Sequence, residues 1–129
     1  MTDPAVSLLL DTHVFLWWRT NDRRIGAEAR AAIADADIVF VSAASAWEAA
    51  IKAALGRLRL PEPFETGVVD SGFERLPILF SHAKAAAHLP RHHTDPFDRM
   101  LVAQARTENL TLVTRDRLLE GYDASILWA

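Results

Sequence analysis

The chain contains no cysteine. That excludes a disulfide framework and any thiolate-held metal, and it suits a reducing cytoplasm. Signatures of nucleotide and acyl chemistry are missing as well: no P-loop, no GxGxxG and no GxSxG occurs in the sequence. Long hydrophobic runs are absent. The opening stretch "MTDPAVSLLLD" has no basic n-region and only a short apolar run, so it reads as neither a signal peptide nor a membrane span. An excess of positive charge is also lacking. The formal net charge of −3 argues at first against a nucleic-acid partner. What remains is ordinary for a soluble globular protein, half hydrophobic and about a quarter charged. A length of 129 residues suits one domain, 1–129, able to bury a single core. No linker, repeat or low-complexity tract interrupts it.

Apolar periodicity alternates along the chain between two types. Residues 5–10, "AVSLLL", form a run of strand length, and 12–18, "THVFLWW", predict a short helix. An Ala-rich helix is expected over 26–36, with Gly26 in front, then a buried strand over 37–42, "DIVFVS". Residues 43–56 place Trp47, Ile51, Ala54 and Leu55 on one helical face and end at Gly56, a C-cap signal. "LRLPEP" is a loop, "PFETGVVDSG" a weak helix, and 73–78 a short strand. A helix over 81–90 ends at Pro90, and 96–109 is the clearest amphipathic helix. Residues 110–114, "LTLVT", and 125–128, "SILW", close the series as strands. Strands alternating with helices predict an α/β fold with a mostly parallel sheet.

Such a sheet gathers its ligands beyond the carboxyl ends of its strands. Asp11 follows the strand "SLLL", and Asp116 follows "LTLVT". Glu48 lies in the first turns of the helix after "DIVFVS", and Asp98 in the first turn of helix 96–109. Helices antiparallel to the strands start at the same edge, so four acids far apart in sequence should converge on one rim. Convergent carboxylates repel one another and are driven toward protonation unless a cation offsets them. Hard oxygen donors without sulfur indicate Mg²⁺ or Mn²⁺. Such an ion activates water and neutralises charge on a phosphoryl group. With the four acids set aside, 14 basic residues face 13 acidic ones, and twelve of the basic residues are arginine, suited to bidentate phosphate contact. Arg99, Arg115 and Arg117 flank the proposed ligands. A phosphodiester substrate is therefore compatible with an acidic chain.

Each acid also has a structural explanation. Asp11 could cap the helix beginning at Thr12. Glu48 could close a capping box with Ser45 or pair with Lys52 at i+4. Asp95 followed by Pro96 is an N-cap and N1 pair, and Asp98 could serve the helix dipole alone. Asp116 could be a turn residue. Their agreement on one edge favours the site. Other constellations are weaker. His88 and His92 are four apart, but Pro90 breaks the helix that zinc-type spacing needs. His92 and His93 read as solvated or phosphate-facing, and His13 as a core or dimer residue. Trp17, Trp18 and Trp47 read as core. An aspartyl-phosphate phosphatase would need an acid where His13 stands.

"LLLDTHVFLWW", "VSAASAWEAAIKAALGRLRL", "HHTDPFDRMLVAQA" and "LTLVTRD" together resemble a PIN domain, in particular the VapC toxins of bacterial toxin–antitoxin pairs. The resemblance spans nearly the whole chain; residues 61–78 match nothing distinctive. It implies a three-layer, PIN-like α/β fold and a cytoplasmic Mg²⁺- or Mn²⁺-dependent endoribonuclease. It also implies a homodimer held inactive by a cognate VapB-type antitoxin. Carried over by position, the family's acidic quartet falls on Asp11, Glu48, Asp98 and Asp116, with Thr12 and Thr114 as its polar neighbours. On this reading Asp11 and Asp98 hold the metal, Glu48 orients or helps deprotonate the water, and Asp116 completes the site. The alternative is a PIN-fold module that binds RNA or protein without cutting it. The helices at 12–18 and 43–55 carry Phe15, Leu16, Trp17, Trp18 and Trp47, more large apolar side chains than a small domain easily hides. Part of that surface is expected to receive an antitoxin helix and part a second copy of the chain.

Overall fold

A computed structural model describes residues 6–91 and 93–129. Ala5, expected to open the first strand, and His92 lie outside the described residues. Five strands form one sheet, β1 (Ser7–Leu10), β2 (Ile38–Ser42), β3 (Glu74–Leu76), β4 (Thr111–Thr114) and β5 (Ile126–Trp128), in the order β3-β2-β1-β4-β5. All four pairings are parallel, with Leu9 opposite Phe40 on one side and Leu112 on the other. Helices connect them: α1 (Thr12–Thr20), α2 (Ala27–Asp35), α3 (Ala43–Ala54), α4 (Phe64–Asp70), α5 (Phe80–His88) and α6 (Pro96–Thr107). A 3₁₀ turn spans Arg117–Gly121.

The two-residue period of β1 divides the core. Leu9 points into a cluster with Leu101, Val102 and Ala105 of α6. Leu8 and Leu10 point the other way, to Val14 and Phe15 of α1, Ile33 of α2 and Val68 of α4. A strand with helices on both faces has no polar side, which explains the unbroken "LLL". These are the three layers expected. α3 leaves β2 directly and packs against α6, α1 and α4, joining both helical layers.

Most element boundaries agree with the sequence reading to within a residue or two. α1 runs two residues past Trp18, because Asn21 takes a left-handed conformation (φ 54°) and its N–H caps the last carbonyls. Gly56, at φ 70°, sits just past the Leu55 cap of α3. The weak helix at 64–70 is held by burial: Gly67 lies so close to the Arg19–Glu62 ion pair that a Cβ there would stand 2.6 Å from Glu62 Oε1.

Three readings are corrected. Phe15 is fully buried and offers no partner surface, because α1 turns it between the sheet and α4. Trp47 is 62% exposed and touches the rim of α6, Phe97 edge-on, because it lies at the solvent edge of α3. His13 is exposed, stacked on Trp17 at the rim of α1, and is no core residue. Leu9→Ala, at the centre of the sheet, is expected to lower stability by about 2–5 kcal/mol in urea unfolding. Phe80→Ala, at a position 97% exposed, should stay within about 0.5 kcal/mol of wild type.

Candidate active site

Strand order reverses direction beside β1: the chain builds outward through β2 and β3, then returns to place β4 and β5 on the other side. The crevice between the carboxyl ends of β1 and β4 is therefore the switch point at which open α/β sheets bind ligands. A cleft of about 230 Å³ lies there, lined by Asp11, Thr12, Glu48, Lys52, His93, Asp95, Asp98 and Asp116 among others. All four acids selected from the sequence are brought together in it.

Each carboxylate is aimed by its own local structure. Asp11 caps α1: Oδ1 accepts from Val14 N–H at 2.8 Å, while Thr114 Oγ1 donates to Oδ2 at 2.6 Å. Asp116 caps the 3₁₀ turn through Oδ1, which accepts from Leu118 N–H, and turns Oδ2 toward His93. Its own N–H donates to Thr114 Oγ1, so that hydroxyl ties the two strand-end acids together. Glu48 is 5% exposed. Its Oε1 accepts from Thr12 Oγ1 at 2.6 Å and its Oε2 pairs with Lys52 Nζ at 2.7 Å. The i+4 pair proposed from sequence is present. The capping box is not: Ser42 caps α3, and the buried Ser45 hydroxyl has no hydrogen-bond partner among the described residues.

Asp95 and Asp98 are divided as their positions suggest. Asp95 Oδ1 accepts from both Phe97 and Asp98 N–H, at 2.8 and 3.2 Å. Asp98, at N3, sends Oδ2 to His93 Nε2 at 3.0 Å instead. Burial pushes the Asp98 carboxyl up to about 7, and the charges of Asp95, Asp11 and Glu48 add to this; His93 opposes it. Burial likewise raises Asp11, against the hydrogen bonds from Thr114 and Val14. Two carboxylates forced upward by burial and by neighbouring acids form a donor set suited to a hard divalent cation.

His93 is the residue that sequence reasoning missed. Its Nε2 lies 2.9 Å from Asp116 Oδ2 and 3.0 Å from Asp98 Oδ2, and the three donor atoms form a cluster able to hold a metal. A histidine pair in an irregular stretch gives no periodic signal, and only the placement of residue 93 beside Asp116 selects it. The arginines are also corrected. Arg99 does not face the cleft as a phosphate ligand, because its guanidinium donates to the carbonyls of Ala86, Leu89 and Pro90 and to Tyr122 Oη. Arg115 donates to the carbonyl of Arg24 and lies over Trp17, and Arg117 lies 4.0 Å over Trp128.

The PIN domain family matches residues 8–124. The chain is 34% identical over 119 residues to ribonuclease VapC22 of Mycobacterium tuberculosis, covering 90% of this chain and 92% of that protein. It belongs to the PIN-domain family, VapC type. Solved toxin–antitoxin structures share its fold, two of which illustrate the likeness. One is VapBC2 from Rickettsia felis bound to a promoter DNA fragment (TM-score 0.70, 12% identity, 95% of this chain and 98% of that one). The other is a toxin–antitoxin complex from Klebsiella pneumoniae (TM-score 0.66, 18% identity, 93% and 95%).

The two neighbouring aspartates separate in thermal melts taken with chelator present. A folded-state carboxyl raised to about 7 from 3.8 favours the protonated folded form, so its contribution is complete below about pH 4 and lost as pH rises through 7. Wild-type Tm should therefore fall across that window, and Asp98→Asn should flatten the fall. Asp95→Ala should instead lose the cap, at a cost of about 1 kcal/mol, and keep most of the fall with pH, lessened only by the loss of the Asp95 charge that helps raise Asp98; Asp95→Asn should cost much less, because Asn caps nearly as well. A slope unchanged in Asp98→Asn would contradict this assignment.

Proposed function

We propose that this PIN-domain protein is a divalent-metal-dependent endoribonuclease, the toxin of a VapBC-type pair acting in the cytoplasm. The observation that carries the reading is the gathering of Asp11, Glu48, Asp98 and Asp116 around one cleft at the sheet's switch point. The relative named a ribonuclease supports RNA as the substrate class. Asp11 and Asp98 would hold the ion, Mg²⁺ or Mn²⁺. When bound, it would supply an acidified water and charge to offset that of the phosphate.

The protein's own groups do the rest. Thr114 fixes Asp11 and Asp116 in relation to each other. Thr12 and Lys52 hold both oxygens of Glu48 and leave each with a free lone pair, so Glu48 orients the attacking water and receives its proton without swinging. Attack of water on phosphorus, with the 3′ oxygen leaving and taking a proton from solvent, would yield a 5′-phosphate and a 3′-hydroxyl. The 2′-hydroxyl takes no part in bond making.

Asp11→Asn and Asp98→Asn should each reduce cleavage of RNA at least about 100-fold, the scale of losing a group that offsets transition-state charge. Both should remain folded. Excess chelator should abolish cleavage, and either ion should restore it. Product ends read by sequencing should carry the 5′-phosphate. Undiminished cleavage by Asp11→Asn would reject the enzyme reading in favour of a module that binds without cutting.

The partner reading rests on two surfaces. His13 lines the acidic cleft and also a more apolar groove of about 310 Å³, formed with Leu16, Trp17, Leu58 and Phe64. An antitoxin segment lying in that groove could extend an Arg or Lys past His13 to the carboxylates. On α3, Trp47, Ile51 and Leu55 form an exposed apolar row suited to a second copy of the chain. The small protein encoded beside this chain should co-purify with it. Light scattering that shows a monodisperse monomer, together with harmless expression of the chain alone, would reject both surfaces.

A further inference from the structure

The sequence treats His93 as a solvated or phosphate-facing residue, yet the fold builds it into the acidic cleft. Its backbone is fixed from the far side: His93 N–H donates to Tyr122 Oη at 3.0 Å, and the same oxygen accepts from Arg99 at 3.2 Å. Arg99 also binds three carbonyls of residues 86–90, so the segment leading to His93 is tied to α6, the helix that carries Asp98. The ring is largely buried. Asp95 N–H points at Nδ1 at 3.4 Å, which puts the proton on Nε2, between Asp98 Oδ2 and Asp116 Oδ2. One proton facing two carboxylate oxygens can point well at only one of them. A divalent cation in its place is attracted by both. Neighbouring ligands of an octahedral ion, each at about 2.1 Å, lie about 3.0 Å apart. The separations of 2.9 and 3.0 Å already match that spacing.

The geometry points to His93 as a nitrogen ligand that, with Asp98 and Asp116, makes the site select a transition ion such as Mn²⁺ over Mg²⁺. This rests on the proposed metal-dependent reading and adds to it. An all-carboxylate rim suits Mg²⁺ and Mn²⁺ alike, whereas an imidazole favours the transition ion. To bind the ion through Nε2 the ring takes its other neutral tautomer, with the proton on Nδ1. The contact from Asp95 that this displaces is long, so little is lost.

Mn²⁺ and Mg²⁺ binding to the full chain without RNA, together with spin-echo spectroscopy of the Mn²⁺ form, tests this independently of catalysis. Wild type should show the modulation of a directly bound imidazole nitrogen. His93→Gln should lose that modulation, at least about tenfold of its Mn²⁺ affinity, and its preference for Mn²⁺ over Mg²⁺. His93→Asp, which restores a hard oxygen donor, should bind both ions without nitrogen modulation, showing that the fold survives. His13→Gln should keep the wild-type spectrum. Mn²⁺ bound to wild type with no nitrogen modulation, or modulation that persists in His93→Gln, overturns the assignment and leaves the nuclease reading standing. Failure of wild type to bind either ion overturns both.

Discussion

Repulsion among carboxylates held away from water is the constraint around which this molecule is arranged. Asp11 is 8% exposed and Glu48 5%, and Asp95, Asp98 and Asp116 line the same cleft. Left to themselves such groups would separate or take up protons. Backbone N–H groups at the starts of α1, α6 and the 3₁₀ turn hold one oxygen each of Asp11, Asp95 and Asp116. Thr12, Thr114, Lys52 and His93 restrain the others. Three helix starts aimed at one place also bring three positive dipole ends to it.

The caps resolve an apparent choice between structure and chemistry. Asp11 and Asp116 are both helix caps and rim acids, because a carboxylate has two oxygens. The oxygen bound to the backbone anchors the group and sets the direction of the other. In α6 the two tasks are divided: Asp95 does the capping, and Asp98, one place past Phe97, faces His93.

The basic residues divide in a similar way. Arg19 braces the loop before α4 through Glu62, and Arg99 closes the segment before α6 onto that helix. Their planar forks suit several fixed acceptors at once. The nitrogen-bearing side chains left within the cleft are already engaged: Lys52 is paired with Glu48, and His93 sits between two acids. Among the described residues the cleft therefore holds five acids against a single lysine and two histidines.

Much was legible from sequence. The unbroken "LLL" and "VFV" runs determine parallel strands covered on both faces, with only Phe40 among them half-buried. Asp95-Pro96 determines the start of α6 and hence the register of Asp98, because proline has no N–H to donate and Asp supplies an oxygen to the free ones. Strand-end positions placed Asp11 and Asp116 on one edge, because alternation of strands and helices leaves few topologies. Tertiary structure alone decided which side chains met there. Residue 93 reaches Asp98 and Asp116 from a segment held by Arg99 and Tyr122, through contacts 9 to 29 positions apart that no local pattern records. It also decided that Phe15 is buried while Trp47 is not, although both stand on apolar helices. Periodicity marks a helix face as apolar; only the packing of α3 across both layers determines which of its apolar residues find a neighbour.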